Sequence, residues 1–203
     1  MNYLKKDYLP IATERLILRL IEPEEAELMT NYVTENKEHL TQWEPIRTDE
    51  FYTSEFWKKE LIKRHNDFYT GLGMNLGIFF RELPEGPIIG VCNFSNIMRG
   101  VFQACFLGYS IHYNYQGQGI MYEALNAAVE FMFTTFKLHR VMANYMPRNE
   151  RSGKLLKKLG FLIEGYSRDY LKINGKWEDH ILTAKIKSDE KSKNEIHTEE
   201  NDE

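Results

Sequence analysis

Alternating apolar and polar positions predict the strands of this chain, and apolar positions at helical spacing predict its helices. Residues 15–21 alternate and predict the first strand. A helix should begin at Pro23, because two acids follow this proline and suit the positive end of a helix dipole. A second helix is then predicted over about residues 49–68, and a hairpin of two strands over residues 76–80 and 88–94.

The middle of the chain predicts a strand, a helix and a second strand. A strand over residues 101–111 leads through a glycine-bearing loop into the helix, and a short strand over residues 139–145 follows it. The helix has one apolar face, formed by Met121, Ala124, Leu125, Ala128 and Met132. After the second strand, Asn149 can cap a further helix.

The predicted fold ends in a hairpin. Asn174-Gly175 is the strongest short hairpin signal in the chain, and it joins strands at residues 161–173 and 177–186. The order is therefore a strand, two helices, three strands, a helix, a strand, a helix and two strands, which is an α/β (α+β) arrangement. We find no internal repeat and no second core, so residues 1–187 are predicted to form one domain.

Charge divides the chain into a body and a tail. The net charge of the 203 residues is −4, but residues 188–203 hold seven acids against two lysines. Because Ile196 is its one large apolar residue, this acidic tail cannot offset the entropy of ordering and is predicted to be disordered. The sequence has no dense run of basic residues, so it does not predict a surface that binds nucleic acid.

The sequence lacks the features of membrane, secreted and metal-binding proteins. No run approaches the roughly 20 apolar residues of a membrane span, and the first residues have no apolar core of a signal peptide, so we expect a cytoplasmic protein without a membrane partner. Cys92 and Cys105 are predicted on neighbouring strands as reduced, buried thiols. Neither has a Cys-x-x-Cys partner, so we expect no metal site.

The candidate chemistry begins where the strand at residues 101–111 turns into the helix. A glycine loop that enters a helix leaves backbone N–H groups free at the positive end of the dipole, which suits a phosphate. The loop lacks the Lys and Ser/Thr of a triphosphate loop, and Tyr122 stands at the third glycine of a dinucleotide fingerprint. By themselves, Gly117 and Gly119 are equally consistent with a simple tight turn.

Two separated motifs give the chain a family likeness. Residues 116–121 read Gln-Gly-Gln-Gly-Ile-Met, and residues 149–165 contain Asn-x-x-Ser, Leu-Gly-Phe and Glu-Gly in that order. With a helix and a strand between them, these motifs resemble those of the GNAT acetyltransferase family. Further segments resemble the branch of that family that acetylates the N-terminal alanine of small-subunit ribosomal protein five. These segments are residues 43–45, 90–96, 142–147, 169–171 and 174–180.

The resemblance implies a fold and a co-substrate. The fold is the GNAT acyl-CoA N-acyltransferase fold, a mixed, mostly antiparallel central sheet flanked by about four helices. The co-substrate is acetyl-CoA. The residues that the resemblance assigns to it are Tyr109, Ser110 and Ile111 at the pantetheine arm, Gly117, Gln118, Gly119, Ile120, Met121 and Tyr122 at the pyrophosphate, and Asn149 and Ser152 near the acetyl group. Met121 departs from the family pattern, which prefers Gly or Ala, and its place on the apolar stripe predicts a side chain in the core.

The resemblance also implies direct attack of an amine on the thioester, without an acyl-enzyme. Some members of the family carry a Glu base and a Tyr acid around the Asn motif, but Asn144 and Leu156 stand at those positions here. Ser152 is therefore the candidate acid at the sulfur, although a serine in the first turn of a helix is also ordinary. Glu44 is the candidate base, acting through an ordered water, although a loop acid is more often simply solvated.

The acceptor is expected to lie in a groove beside the loop that contains Trp43 and Glu44. Tyr170 and Trp177 are further candidates for this groove, although aromatic residues near hairpins more often just pack. His112 is a poor candidate for the base, because it is expected just before the pyrophosphate loop with its side chain in solvent.

The resemblance implies an enzyme that acetylates the N-terminal alanine of a small-subunit ribosomal protein, either free or on the assembling subunit, and we expect it to be cytoplasmic. An α-amine suits a weak base, because at pH 7 its deprotonation costs about 1.4 kcal/mol, against about 4.6 kcal/mol for lysine. One alternative is an acetyltransferase for polyamines or antibiotics, which needs an acid-lined pocket closed at one end. Another is a binding module of ribosome assembly that keeps the fold but has lost turnover.

Overall fold

A computed structural model describes residues 8–188, and the eight strands in this part of the chain form one sheet. The strands are β1 (Ile11–Ala12), β2 (Leu16–Arg19), β3 (Met74–Phe80), β4 (Gly90–Met98), β5 (Ala104–Ile111), β6 (Arg140–Tyr145), β7 (Leu162–Ile173) and β8 (Lys176–Ile186). Their order across the sheet is β1-β2-β3-β4-β5-β6-β8-β7. Within residues 8–188 only β5 and β6 pair in parallel. The predicted mixed, mostly antiparallel sheet is confirmed.

Within the described residues, five α-helices accompany the sheet, and one of them is a single turn of four residues. The helices are α1 (Ala26–Glu35), α2 (Lys37–Leu40), α3 (Ser54–Thr70), α4 (Ile120–Thr134) and α5 (Glu150–Lys158). The helix predicted over residues 49–68 is interrupted, because Thr53 is extended and its hydroxyl accepts a hydrogen bond from the Phe56 backbone at 3.3 Å. A 3-10 turn at Asp49–Tyr52 therefore precedes α3.

Two apolar cores use the opposite faces of the sheet, because successive strand residues point to opposite sides. On β4, Cys92 and Phe94 belong to the larger core, which also contains the apolar face of α4 and Leu156 of α5. Val91 belongs to the second core, with buried residues of α1 and α3. Met121 is buried in the larger core, as predicted from its place on the apolar stripe.

The C-terminal hairpin has the turn that its sequence predicts. Asn174 and Gly175 have φ angles of 44° and 80°, so both central residues are left-handed, as a two-residue hairpin turn requires. The tip of this hairpin contacts a distant loop, where the Asn174 backbone N–H donates to the Glu44 carbonyl at 2.9 Å. The hairpin therefore braces the loop that contains Glu44.

Other expectations concern the cysteines and the ends of the chain. Cys92 and Cys105 lie on the paired strands β4 and β5 as free, buried thiols, which confirms their prediction. No helix in residues 8–188 has the length and apolar character needed to cross a bilayer. The predicted acidic tail lies outside the described residues, apart from Ser188.

Candidate active site

The site begins where two strands of the sheet separate. β5 pairs with β6 only from Ala104↔Arg140 to Phe106↔Met142. Beyond that point β6 continues against β8 as far as Tyr145↔Ile181. Residues 107–111 of β5 consequently have no strand pairing on the β6 side within the described chain. This open edge carries Tyr109, Ser110 and Ile111, and its backbone groups can bind an extended ligand as an added strand would.

The glycine loop follows the open edge directly. Gly117 and Gly119 both have a φ of 74°, a left-handed conformation that glycine adopts without strain. Gly119 precedes the first residue of α4, and no side chain of the described residues caps this helix start. The first N–H groups of α4, at Ile120, Met121 and Tyr122, are therefore placed at an uncapped positive end of the helix dipole.

An ion pair that the sequence did not point to supports this loop. Arg15, just before β2, places its Nε 2.6 Å from Glu123 Oε2 and donates from Nη1 to the Gln118 carbonyl at 3.2 Å. Thr13 Oγ1 donates to Glu123 Oε1 at 2.6 Å. Burial would raise the pKa of Glu123, but the hydrogen bonds from Thr13 and Arg15 outweigh it and lower the pKa. Glu123 is thus ionised and connects the loop to the start of the sheet.

Gln116 ties the same loop to two helices. Its Oε1 accepts a hydrogen bond from Arg151 of α5, and its Nε2 lies 2.6 Å from His39 Nε2 of α2. Burial and the charge of Arg151 both lower the pKa of His39. The neutral ring that results can accept the hydrogen bond from the Gln116 amide.

The two residues of the Asn-x-x-Ser motif have different positions. Asn149 caps α5, because its Oδ1 accepts a hydrogen bond from the Ser152 backbone at 3.2 Å. Ser152 Oγ lies 2.6 Å from Tyr109 Oη. Burial raises the pKa of Tyr109 to about 12, although its bond with Ser152 opposes the rise. The structure thus joins the predicted catalytic serine to a partly buried phenol, a contact that no sequence motif indicates.

A cavity of about 450 Å³ lies on the α1–α3 side of the same strand. Its volume falls in the range of sites for small ligands. It reaches Gly108, Tyr109 and Ser110 at the open edge of β5. The other residues that line it are Met29, Tyr32, Val33, Leu40, Glu44, Arg47, Phe51, Phe56, Trp57, Glu60, Arg64, Val91 and Asn93.

Hydrogen bonds and ion pairs hold the polar wall of this cavity. Tyr32 Oη lies 2.8 Å from Ser110 Oγ, and burial raises the pKa of Tyr32. Glu44 pairs with Arg47 at 3.2 Å. The other carboxylate that lines the cavity, Glu60, pairs with Arg64 at 3.1 Å. Each carboxylate that lines the cavity therefore has an arginine beside it.

Glu44 is the one member of the predicted acceptor-binding set that lines this cavity. Trp43 lies under Arg148, whose guanidinium carbon is 5.1 Å from the ring centroid. Tyr170 Oη accepts a hydrogen bond from Asn144 at 3.3 Å. Trp177 is 61% exposed on β8. The structure therefore places these three aromatic residues around the Glu44 loop and the hairpin rather than in the cavity wall.

His112 does not face solvent, so that prediction was wrong. Its side chain is buried, its Nε2 lies 3.2 Å from Glu35 Oε2, and its ring stacks on Tyr113. The thiols are unsuited to nucleophilic catalysis, because burial raises the pKa of Cys92 and of Cys105 to about 12. Among residues 8–188 no group of three or more His, Cys, Asp or Glu side chains is arranged to hold a metal ion.

Known proteins resemble this chain along most of its length. A model of the Acetyltransferase (GNAT) domain matches residues 15–162. The ribosomal protein uS5-alanine N-acetyltransferase of Escherichia coli (strain K12) is 46% identical over 174 residues, which are 86% of this chain and 89% of that enzyme.

Solved structures show the same fold. The ribosomal-protein-S5-alanine acetyltransferase of Vibrio fischeri has a TM-score of 0.85 at 42% identity, with 89% of this chain and 98% of that chain covered. RimJ of Mycobacterium smegmatis, solved in complex with CoA-disulfide, has a TM-score of 0.78 at 25% identity, with 84% of this chain and 81% of that chain covered. A protein of this fold thus holds a CoA derivative.

Proposed function

The chain belongs to the GNAT acetyltransferase family, and from that premise we propose that it transfers the acetyl group of acetyl-CoA to the N-terminal α-amine of a ribosomal protein that begins with alanine. The observation that supports this proposal most is the extent of identity with the Escherichia coli enzyme, whose name states that acceptor. We take the acceptor to be small-subunit ribosomal protein five, either free or on the assembling subunit, which would place the reaction in the cytoplasm.

Acetyl-CoA fits the side of the sheet that carries the glycine loop. The open edge of β5 at Tyr109, Ser110 and Ile111 can bind the pantetheine arm by strand-like hydrogen bonds. The free N–H groups at the start of α4 can take the pyrophosphate, with the helix dipole behind them. When bound, acetyl-CoA supplies an activated thioester carbonyl, and the protein orients it.

The acceptor amine fits the cavity on the opposite side. The gap between β5 and β6 lets the two sides meet, because the cavity reaches Gly108, Tyr109 and Ser110. As the amine attacks the thioester carbonyl, a C–N bond forms and the C–S bond breaks. The amine must lose one proton, and the leaving thiolate gains one.

Ser152 is our candidate for the group that protonates the thiolate. Its hydroxyl is 2.6 Å from Tyr109 Oη, and the raised pKa keeps that phenol protonated at neutral pH. Tyr109 can therefore hold the Ser152 hydroxyl in position and replace its proton. The pair takes over the role of the tyrosine that some relatives carry where this chain has Leu156.

Glu44 is our candidate for the base. Its carboxylate lines the cavity and is held by Arg47, while the hairpin fixes its backbone through Asn174. An ordered water held by this carboxylate could accept the proton of an α-amine, whose pKa is about 8. A lysine side chain would need a stronger base.

The charge of the cavity wall argues against a polyamine acceptor. A polycation needs several carboxylates without partners, whereas Glu44 and Glu60 are each paired with an arginine. The alternative of a binding module without turnover requires no proton path, whereas the hydrogen-bonded hydroxyls of Tyr109 and Ser152 could provide one. Each of these two alternatives predicts a result in a direct assay that differs from the result expected for the α-amine acetyltransferase.

Competition between acceptors tests the proposal. The purified protein would receive acetyl-CoA with a short Ala-first peptide, the same peptide with a blocked N-terminus and an internal Lys, and spermine. Mass spectrometry should find acetyl groups on the free Ala terminus alone. Labelling of spermine or lysine would instead support the small-amine enzyme, and retained acetyl-CoA binding without any labelling would support the binding module.

A further inference from the structure

The cavity on the α1–α3 side contains an unusual pair of polar atoms. Trp57 Nε1 and Asn93 Oδ1 are buried and have no hydrogen-bond partner in the described residues. Both residues line the cavity. Buried polar atoms in folded proteins nearly always have hydrogen-bond partners, and a buried polar atom without one lowers the stability of the fold. Two such atoms in one cavity indicate that a ligand supplies their hydrogen-bond partners.

Asn93 lies in the middle of the sheet on the cavity side. It is on β4, on the same face as Val91, which belongs to the α1–α3 core. Asn93 is paired with Gly108 on the neighbouring strand β5, and this glycine has no side chain that could cover the Asn93 amide. A Cβ atom built on Gly108 would have no heavy atom within 4 Å, so the space beside this glycine is open. Gly108 is not in the left-handed region, so this glycine provides room rather than a turn.

Trp57 is a fixed side chain on the facing helix α3. It is 2% exposed, and its ring contacts Phe51 at 5.1 Å and Phe56 at 5.5 Å between centroids. The Arg64 guanidinium carbon lies 5.0 Å from the centroid of the same ring. Packing on several sides holds the indole in one orientation, so its N–H group is preorganised for a partner.

The two atoms have opposite hydrogen-bonding character. An indole Nε1–H can only donate, and an amide oxygen can only accept. The first residue of a polypeptide offers the matching groups a few ångströms apart, since its α-amine has N–H donors and its first carbonyl oxygen is an acceptor. A polyamine has no acceptor for the indole, and it would leave Trp57 unpaired.

We propose that the cavity binds the first residue of the acceptor, with Asn93 Oδ1 accepting a hydrogen bond from the α-amine and Trp57 Nε1–H donating to the first carbonyl oxygen. This inference rests on the proposed α-amine acetyltransferase function. Asn93 and Trp57 are positioning residues, because they orient the amine towards the open edge of β5 and exchange no proton with it. The open space beside Gly108 receives the first side chain.

Substitutions that keep the shape test the two contacts. Asn93→Leu removes the acceptor, Asn93→Asp keeps it, and Trp57→Phe removes the donor while it keeps a ring. Loss of one buried hydrogen bond should raise the KM for an Ala-first peptide roughly tenfold in Asn93→Leu and in Trp57→Phe. Asn93→Asp should recover most of the affinity. The dissociation constant for acetyl-CoA should stay unchanged throughout, and Asn126→Leu on the exposed side of α4 is the matched control.

A modified peptide tests the Trp57 contact without depending on a variant alone. A trans-alkene in place of the first peptide bond keeps its planar shape but has no carbonyl oxygen. With the unaltered protein this analogue should bind roughly tenfold more weakly than the parent peptide. With Trp57→Phe the two peptides should bind alike, because the contact is already lost.

Substitution of Gly108 tests the space. Gly108→Ala should fold normally, because the added Cβ meets nothing. It should weaken binding of Ser-first and Val-first peptides more than Ala-first ones. Gly165→Ala is the control, since its Cβ would meet only Leu182 at an ordinary contact of 3.8 Å.

The outcomes separate this inference from the proposed function. If the unaltered protein acetylates the Ala-first peptide but neither the variants nor the alkene analogue alter the peptide KM, the positioning role is overturned and the acetyltransferase function stands. If the unaltered protein acetylates no α-amine, both are overturned. Equal losses for Asn93→Leu and Asn93→Asp, with weaker acetyl-CoA binding, would also overturn the proposal, because they would indicate a structural role.

Discussion

The candidate active site has two sides, which we propose bind the co-substrate and the acceptor, and they are formed by different groups of the protein. On the co-substrate side, the backbone of one continuous stretch, residues 109–122, meets the start of α5. On the acceptor side, side chains of α1, α3 and β4 come together from distant parts of the chain. A backbone site constrains glycines and spacing and so leaves a motif, whereas a side-chain site can be assembled from many residue types. The first side is therefore restricted in its sequence, while the second can be built from several kinds of side chain.

Each side also has its own arginine–glutamate anchor. Arg15 and Glu123 support the glycine loop, with side chains 46% and 18% exposed. Arg19 and Glu25 support the start of α1, with side chains 16% and 21% exposed. The second pair is the better shielded of the two, and we expect it to contribute more to stability.

The largest expected effect concerns the chemistry where the two sides meet. Ser152→Ala should lower kcat by about 100-fold, because removal of a general acid typically has an effect of this order. The KM for the peptide and the affinity for acetyl-CoA should change little, since we propose that the hydroxyl acts on the leaving sulfur. Steady-state kinetics with an Ala-first peptide, together with calorimetry of acetyl-CoA binding, measures both quantities.

A double variant shows whether Ser152 acts with Tyr109. Tyr109→Phe removes the same 2.6 Å hydrogen bond from its other end. The double variant should be no slower than the slower single variant, because groups that act as a unit are not additive. Ser95→Ala, at an exposed position of β4, is the matched control. An unchanged kcat in Ser152→Ala would remove this serine from the mechanism.

The second expected effect isolates the co-substrate side. Gly119→Val puts a β-branched residue at a φ of 74°, which costs about 1–3 kcal/mol of strain. We expect the loop to relax and the affinity for acetyl-CoA to fall at least tenfold. Gly100→Val is a matched control, because Gly100 has a φ of 71° in a turn between β4 and β5 and has open space around it. Gly100→Val should lose a comparable amount of stability while its affinity for acetyl-CoA stays unchanged. Equal acetyl-CoA affinities of Gly119→Val and Gly100→Val would contradict the proposed role of the glycine loop.

The local structure on the co-substrate side was predictable from sequence, because it depends on residues that lie close together in the chain. The order of the main elements, the left-handed Gly117 and Gly119 and the Asn174-Gly175 turn all follow from short patterns. The cap at Asn149 is local as well, since its partner is three residues away. Even here the interruption before α3 was missed, because the extended Thr53 breaks a run whose apolar spacing continues across it.

The long-range contacts on both sides were not predictable, because they join residues that lie far apart in the sequence. His112 was expected in solvent, but Glu35 lies against it from a position 77 residues earlier in the sequence. Asn93 and Trp57 carry no motif, and their relation appears only once α3 packs on β4. The side chain of Tyr109 meets Ser152 across a separation of 43 residues, which no spacing rule indicates.

The third expected effect tests the anchor of the acceptor side. Arg19 makes two hydrogen bonds of 2.7 Å to Glu25. Burial would raise the pKa of Glu25, but these bonds and one from the Glu22 backbone outweigh it and lower the pKa. Glu25→Gln should therefore reduce the free energy of unfolding by about 1–2 kcal/mol at pH 7. For a chain of this size the loss corresponds to a fall in Tm of roughly 2–8 °C.

The same pair sets a pH dependence with a definite sign. A carboxyl group with a lowered folded pKa stabilises the fold fully above its unfolded pKa of about 4.3, and this contribution is lost as pH falls through the folded pKa. The difference in Tm between the parent protein and Glu25→Gln should thus be constant at neutral pH and shrink below about pH 4.3. Glu27→Gln, exposed on α1, is the control and should show no such difference. A difference that grows on acidification would contradict the assignment.

The smallest expected effect concerns the exposed anchor on the co-substrate side. Arg15→Ala removes the ion pair with Glu123 and the hydrogen bond to the Gln118 carbonyl, yet Thr13 still holds Glu123. Because Arg15 is nearly half exposed, the loss of stability should be under about 1 kcal/mol. The KM for acetyl-CoA should rise about two- to threefold, since the loop loses one of its supports, and the peptide KM should stay constant. Raising the salt concentration to 1 M should reduce this difference, because exposed ion pairs are screened. A change in the peptide KM instead would show that the two sides of the sheet are coupled rather than built independently.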